Sequence, residues 1–255
     1  MQNLQANYCD PEKACLTVIN HKSKKMKTKR SQLLIIVLIV LTVFSPDIYG
    51  QKRQKSPKPG KKARTETIKL FNGSNLSNWA FHLRDQSVDP STVFTVQNGV
   101  INIKGDPFGY MRTKEAYSDY VLNLEYRWPE EATNSGVFVH AQLPDTIWLR
   151  TFECQLKEGN AGDFVCMNGA AMNEKKGNSI VVAKMAPSSE KPAGEWNTMV
   201  VTCKADTIEV VVNGVLQNRA TGISESKGHI CLQSEGKNIE FKNVYITRAS
   251  QARRK

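Results

Sequence analysis

From Asn134 to Asp163 the chain reads NSGVFVHAQ, then LPDTIWLR, then TFECQLKEGNAGD, and this stretch decides the fold. Its first and last parts alternate. Val137 and Val139 point one way while Phe138 and His140 point the other, and Phe152, Cys154 and Leu156 oppose Glu153 and Gln155. The pattern predicts two neighbouring strands, each with an apolar face for a core and an opposite face carrying His140, Glu153 and Gln155. Burying these three groups without partners costs several kcal/mol, so they are expected to line a wet cleft.

Outward from this stretch, strand signals dominate. Ile68 to Phe71 closes on Asn72-Gly73, and Leu76 to Trp79 reads as a loop ending in an aromatic. Gln97-Asn98-Gly99 joins Val93–Val96 to Val100–Ile103 as a hairpin, and Tyr120 to Trp128 alternates throughout, with Leu122, Leu124, Tyr126 and Trp128 inward. Gly159 to Gly177, rich in Gly and Asn, is expected to form a long functional loop. Strands are predicted over Asn197–Cys203, Thr207–Val212, Val215–Arg219, Ile230–Gln233 and Ile239–Ile246, the last with a bulge near Lys242-Asn243, where the apolar phase changes. Many short strands without long amphipathic helices or internal repeats predict an all-β, antiparallel two-sheet sandwich over 65–248.

The ends differ from this domain. Leu33 to Phe44 is a twelve-residue apolar run, preceded by the basic segment Lys22–Arg30 and followed by Ser45, Pro46 and Gly50. A bilayer span needs ~20 residues, so residues 1–50 read as a leader with a secretory signal cleaved near Gly50. An uncleaved anchor is the alternative. The 25 residues before Met26 exceed what a signal needs, so Met26 is read as the true start, or the residues before it as a further cleaved leader. Export, periplasmic or extracellular, is expected, with no stable membrane span after cleavage.

The formal net charge of +11 invites a nucleic-acid reading. Its location argues otherwise. Residues 51–64, a Lys/Pro-rich linker, hold seven Lys/Arg and no acid, and the leader and the basic tail (249–255) hold most of the remaining excess, leaving 18 basic and 21 acidic residues between Thr65 and Ala252. No nucleic-acid partner is expected. Cys154, Cys166, Cys203 and Cys231 form no Cys-x-x-Cys pair, so zinc is not indicated and no bridge is assigned; Cys154 and Cys203 read as buried small hydrophobes.

Several motifs then occur in one order: LFNGSNLSNWAFH, VQNGVINIKG, YMRTKEAYSDYVLNLEYRW, NSGVFVHAQ with FECQLKEGNAGDF, GEWNTMVVTCK, IEVVVNGVLQN and HICLQSEGKNIEFKNVYI. As a set they resemble the 3-keto-disaccharide hydrolase family, also described as 3-keto-glucoside 1,2-lyase and 3-keto-2-hydroxyglucal hydratase, over about residues 67–247. The resemblance implies a concanavalin A-like jelly roll acting on a small carbohydrate, a 3-keto-glycoside, in bacterial sugar catabolism. The C3 ketone acidifies the C2 proton; a base removes it, the C1 substituent leaves by β-elimination, and hydration of the glucal completes a net hydrolysis.

That route needs a base near C2, a donor near the ketone and an acid for the leaving oxygen, and does not need two carboxylates flanking an oxocarbenium ion. His140 is the first candidate base because its ordinary pKa lies near neutrality; Glu153 is the second, or the partner that orients His140. Gln155 and Asn134 are candidate sugar-binding groups. Asn160 and Asp163 could bind substrate or make turn hydrogen bonds, Trp148 could stack on a pyranose or plug the sandwich edge, and Arg112 could reach a substrate oxygen or sit in an ion pair. No cofactor is predicted. His140, Glu153 and Asp163 are of metal-ligating type, but their spacing does not support a divalent metal. The competing class is a non-catalytic carbohydrate-binding module of lectin-like sandwich fold.

Overall fold

The structure, a computed structural model, describes residues 65–249. The leader and signal, the Lys/Pro linker and residues 250–255 of the basic tail lie outside the described residues. The strands are β1 Thr65–Lys69, β2 Trp79–Leu83, β3 Phe94–Gln97, β4 Val100–Ile103, β5 Gly109–Thr113, β6 Tyr120–Arg127, β7 Gly136–Ala141 and β8 Thr151–Gln155. They continue as β9 Phe164–Met167, β10 Val181–Val182, β11 Asn197–Lys204, β12 Thr207–Val212, β13 Val215–Ala220, β14 His229–Ser234 and β15 Ile239–Ala249. Among the described residues no helix is long and apolar enough to cross a membrane.

Two antiparallel sheets pack face to face. One runs β13-β12-β11-β6-β15-β4-β3, with β1 also paired to β15; the other runs β10-β9-β8-β7-β14-β5-β2. Strict alternation builds the first sheet: Leu122, Leu124 and Tyr126 of β6 are buried in the inter-sheet core, as are Met199, Val201 and Cys203 of the neighbouring β11. From the second sheet Val137, Val139, Phe152, Cys154, Phe164 and Leu232 enter the same core. The second sheet also carries an apolar layer on its opposite face, made by Tyr110, Phe138, Val165, Met167 and Cys231 and covered in part by Leu149.

Turn chemistry sets the register. Asn98 (φ 52°) and Gly99 (φ 77°) occupy the two left-handed positions of the β3–β4 hairpin, and Asn213 (φ 48°) and Gly214 (φ 81°) do the same between β12 and β13. The bulge expected in the last strand is present: the β15–β6 register shifts between Lys242 and Tyr245, around Asn243 at φ 52°.

Two expectations are corrected. The segment Gly159–Gly177 is not one loop, because β9 crosses it and pairs with both β8 and β10. Phe164-Val165-Cys166-Met167 is buried on both faces and so shows no alternation to announce a strand. Trp79 likewise opens β2, paired to β5, instead of closing a loop. The four cysteines within the described residues are free and buried.

Candidate active site

Strands β7 and β8 pair as expected, Val137 opposite Cys154 and Phe138 opposite Glu153. Because Cys154 faces the inter-sheet core, Glu153 is carried on the sheet's other face. There it lines a cleft of about 420 Å³ with Trp148, Gln155, Val165, Met167, Gln233 and Glu235 among its neighbours. Glu153 is only 5% exposed, and its Oε1 has no hydrogen-bond partner in the protein. Its carboxyl lies over Gly136, where any Cβ would collide with it, which is the physical reason for glycine in the Asn-Ser-Gly run.

Glu235, just beyond β14, completes the carboxylate pair. Gln233 of β14 donates from Nε2 to Glu235 Oε2 at 2.9 Å, and Asn134 also hydrogen-bonds this carboxylate. Burial pushes the Glu153 carboxyl up to about 8, and the charge of Glu235 adds to that shift. Glu235 is also raised by burial, opposed by the Asn134 and Gln233 hydrogen bonds and by the charges of Arg84 and Lys157. With its carboxyl pushed up to about 8, Glu153 carries a proton near neutrality, and the charge of Glu235 favours that protonated form. Gln233 Oε1 and Asn134 Oδ1, like Glu153 Oε1, are buried without a protein partner, so three polar oxygens remain unpaired around this end of the cleft.

Gln155 lines the cleft as expected. Its Oε1 accepts from the backbone N–H groups of Leu156 and Lys157, both at 2.9 Å, leaving the amide nitrogen as its available donor. Trp148 also lines the cleft, 51% exposed, with its ring 4.9 Å from that of Phe108. Its carbonyl accepts from Thr146 Oγ1 at 3.0 Å and Asn168 Nδ2 at 3.1 Å.

His140 does not face the cleft. Its backbone sits at φ +54°, the β7–β14 register shifts between His229 and Cys231, and the side chain leaves the alternation of β7. The fully buried ring meets Tyr120 of the opposite sheet edge-on, with centroids 5.8 Å apart. Nδ1 is 2.8 Å from the Glu225 carbonyl, which can only accept, so Nδ1 carries the proton and Nε2 is left buried without a partner. Burial lowers this imidazole to about 4. The expected pairing of His140 with Glu153 across a cleft is therefore replaced by Glu153 with Glu235.

Three other expected binding residues build the surroundings of the cleft. Asp163 accepts from the Lys184 backbone N–H at 2.8 Å, and its own N–H donates to the Asn160 carbonyl at 3.0 Å, so both shape the turn after β8. Arg112 grips Asp145 with two hydrogen bonds of 2.7 Å, and the Tyr110 hydroxyl reaches the same carboxylate at 3.1 Å. This arrangement ties the β7–β8 connection to β5. Arg112 holds the Asp145 carboxyl below the usual range, an effect partly opposed by burial. Among the described residues no group of three or more His, Cys, Asp or Glu side chains gathers as for a metal ion, and His140, Glu153 and Asp163 do not form one.

Sequence reasoning missed Glu235 as a site residue. The signal was in Cys231, Gln233 and Glu235, which share one parity running off the end of a strand whose Leu232 faces the core. Val165, Met167, Ile180 and Val181, which also line the cleft, were hidden inside what read as a loop and its continuation.

Solved structures similar to this chain include two from Parabacteroides distasonis ATCC 8503, both provisionally described as glycosyl hydrolases. One is 21% identical with a TM-score of 0.55, covering 72% of this chain and 94% of its own. The other is 23% identical with a TM-score of 0.53, covering 71% and 98%. A Bacillus licheniformis β-glucanase is 11% identical with a TM-score of 0.50, covering 73% and 98%. At these identities the likeness is one of fold, the concanavalin A-like sandwich. No curated protein matches the chain. The family described as the 3-keto-alpha-glucoside-1,2-lyase-like domain matches residues 66–247, nearly all of the sandwich, and the chain belongs to that family of carbohydrate-active domains.

Proposed function

We propose that this protein cleaves 3-keto-glycosides by β-elimination and hydrates the product, with Glu235 and Glu153 as the two proton carriers. The observation that carries the reading is the buried, unpaired Glu153 carboxyl coupled to the more exposed Glu235. A sugar-binding surface needs no such pair. In this reading the buried Glu153 carries a proton at neutral pH and the more exposed Glu235 serves as the base. Glu235 takes the proton from C2, the electrons of that bond form the C1–C2 double bond of the 3-keto-glucal, and the C1–O bond breaks. Glu153 gives its proton to the departing oxygen. In the return step the Glu153 carboxylate takes a proton from water, the hydroxide adds to C1, and Glu235 returns a proton to C2. Both carboxyls end as they began, and the net reaction is hydrolysis. Gln155 and the Gln233 amide are placed to hold hydroxyl or ketone oxygens.

Incubation of the protein with a 3-keto-glucoside in heavy water tests this. Aglycone release with deuterium at C2 of 3-keto-glucose is expected, abolished by Glu235→Gln. The Glu153→Gln variant should be slowed most for basic leaving groups and least for an acidic phenol, which departs without a proton. Product free of C2 deuterium would overturn the reading. We also propose that this activity lies outside the cytoplasm, a reading supported by the leader pattern; protein from the native host is then expected to begin at or near Gln51.

A further inference from the structure

The cleft changes character along the strand order of its own sheet. On β8 and β14 its lining is polar: Glu153, Gln155 and Gln233, with Glu235 just beyond. On β9 and β10, the next strands toward the edge, it is apolar, with Asn168 just after β9 as the polar side chain on that side. Val165 is the direct register partner of Glu153, so the change occurs across one strand spacing of ~5 Å, about the width of a pyranose ring. Beyond Val165 stand Met167, Val181 and Ile180, with Trp148 at the same cleft.

Three of these groups are open to solvent although apolar: Trp148 is 51% exposed, Ile180 54% and Val181 44%. They are not loosely held. Cys166 N–H donates to the Ile180 carbonyl at 2.8 Å, Val181 pairs with Val165, and the Trp148 carbonyl accepts from Asn168. A fixed apolar wall exposed beside a polar, charged pocket marks a ligand with two unlike halves.

We infer that the C1 substituent of the substrate is an apolar, ring-bearing aglycone, which lies on the wall of Trp148, Ile180 and Val181 while the oxidised sugar sits against Glu153 and Glu235. This rests on the elimination reading above for the placement of C1. It commits the substrate class to glycosides of apolar alcohols and phenols over disaccharides. A second sugar would set most of its hydroxyls against Ile180, Val181 and Met167, which offer no side-chain partner for them, and only Asn168 would be left to meet one.

The test compares benzyl and methyl 3-keto-glucosides, whose alcohols are of similar acidity, together with a 3-keto-disaccharide. In parallel, binding of unoxidised benzyl and methyl glucosides is followed by calorimetry. A kcat/KM for the benzyl substrate at least ~10-fold above the other two is expected, collapsing to about threefold or less in the Ile180→Ser/Val181→Ser double variant. Both positions are exposed, so the fold should survive, which circular dichroism checks, and the benzyl rate should fall further than the methyl rate. If no 3-keto-glycoside is cleaved but benzyl glucoside still binds better than methyl, and the double variant removes that difference, the elimination reading fails and the apolar subsite stands. Equal rates for benzyl and methyl substrates, a preference for the disaccharide, or a benzyl preference untouched by the double variant would overturn the inference.

Discussion

His140 and Glu153 stand on adjacent strands of one sheet, are 0% and 5% exposed, and have been moved in opposite directions by the same cause. Burial favours the neutral form of each, so the imidazole falls to about 4 and the carboxyl rises to about 8. Only one of them keeps a route to a ligand. A single left-handed residue turns His140 in toward Tyr120, whereas Glu153 keeps the alternation of β8 and opens on the cleft beside a second carboxylate. A perturbed titratable group therefore points to chemistry only when its face of the sheet is also the ligand's face.

The largest effect that could break this contrast is catalytic. Glu153→Gln should lower kcat by ~100- to 10,000-fold on a basic leaving group with little change in KM, while His140→Asn, which tolerates a positive φ, should stay within about threefold of wild type. Equal losses in steady-state kinetics would return His140 to the mechanism. Next comes Gly136→Ala, which forces the Glu153 carboxyl to move. It should cost about 10- to 100-fold in kcat/KM while circular dichroism shows a folded sandwich, and wild-type activity would show that the carboxyl's seat is unimportant.

Stability sharpens the contrast with opposite signs. The folded pKa of Glu153 lies above its unfolded value, so the stability it contributes is present below about 4.5 and is lost as pH rises through about 8. Glu153→Gln should therefore be more stable than wild type at pH 9, by on the order of 5 kcal/mol in urea unfolding, with the gap closing near pH 4. For His140 the folded value lies below the unfolded one, so its contribution is present above about 6.5 and lost as pH falls through about 4. His140→Asn should flatten the acid limb by about 3 kcal/mol, even if losing the Tyr120 contact lowers stability at neutral pH. The smallest effect is expected from Asp145→Asn, which loosens the Arg112 grip on the β7–β8 connection. A two- to fivefold rise in KM without a change in kcat would fit its supporting place, and a change in kcat alone would not.

What could be read in advance follows the same physics. Alternation assigned the faces of Val137, Val139, Phe152, Cys154 and Glu153 correctly, since a half-buried antiparallel strand has a strict period of two. It misplaced His140, because a register shift and a positive φ are tertiary events that no local period announces. β9 stayed hidden because a strand buried on both faces loses the polar half of the pattern. Glu235 was overlooked because its importance depends on Glu153 lying across from β14, a long-range pairing through β7 that no short window contains.

The buried free thiols give this sandwich a built-in reporter. Cys154, Cys203 and Cys231 are at most 1% exposed, and burial drives each thiol upward, Cys203 to about 12. Thiolate is the reacting species, so a soluble maleimide or disulfide reagent at pH 7 finds no nucleophile on these three residues while the sheets remain packed. Cys154 belongs to one sheet and Cys203 to the other, both pointing into the layer between them. Peptide mass spectrometry of alkylated protein would then count separations of the two sheets one molecule at a time, with each chain modified at Cys154 or Cys203 recording that its interior had once been open to solvent.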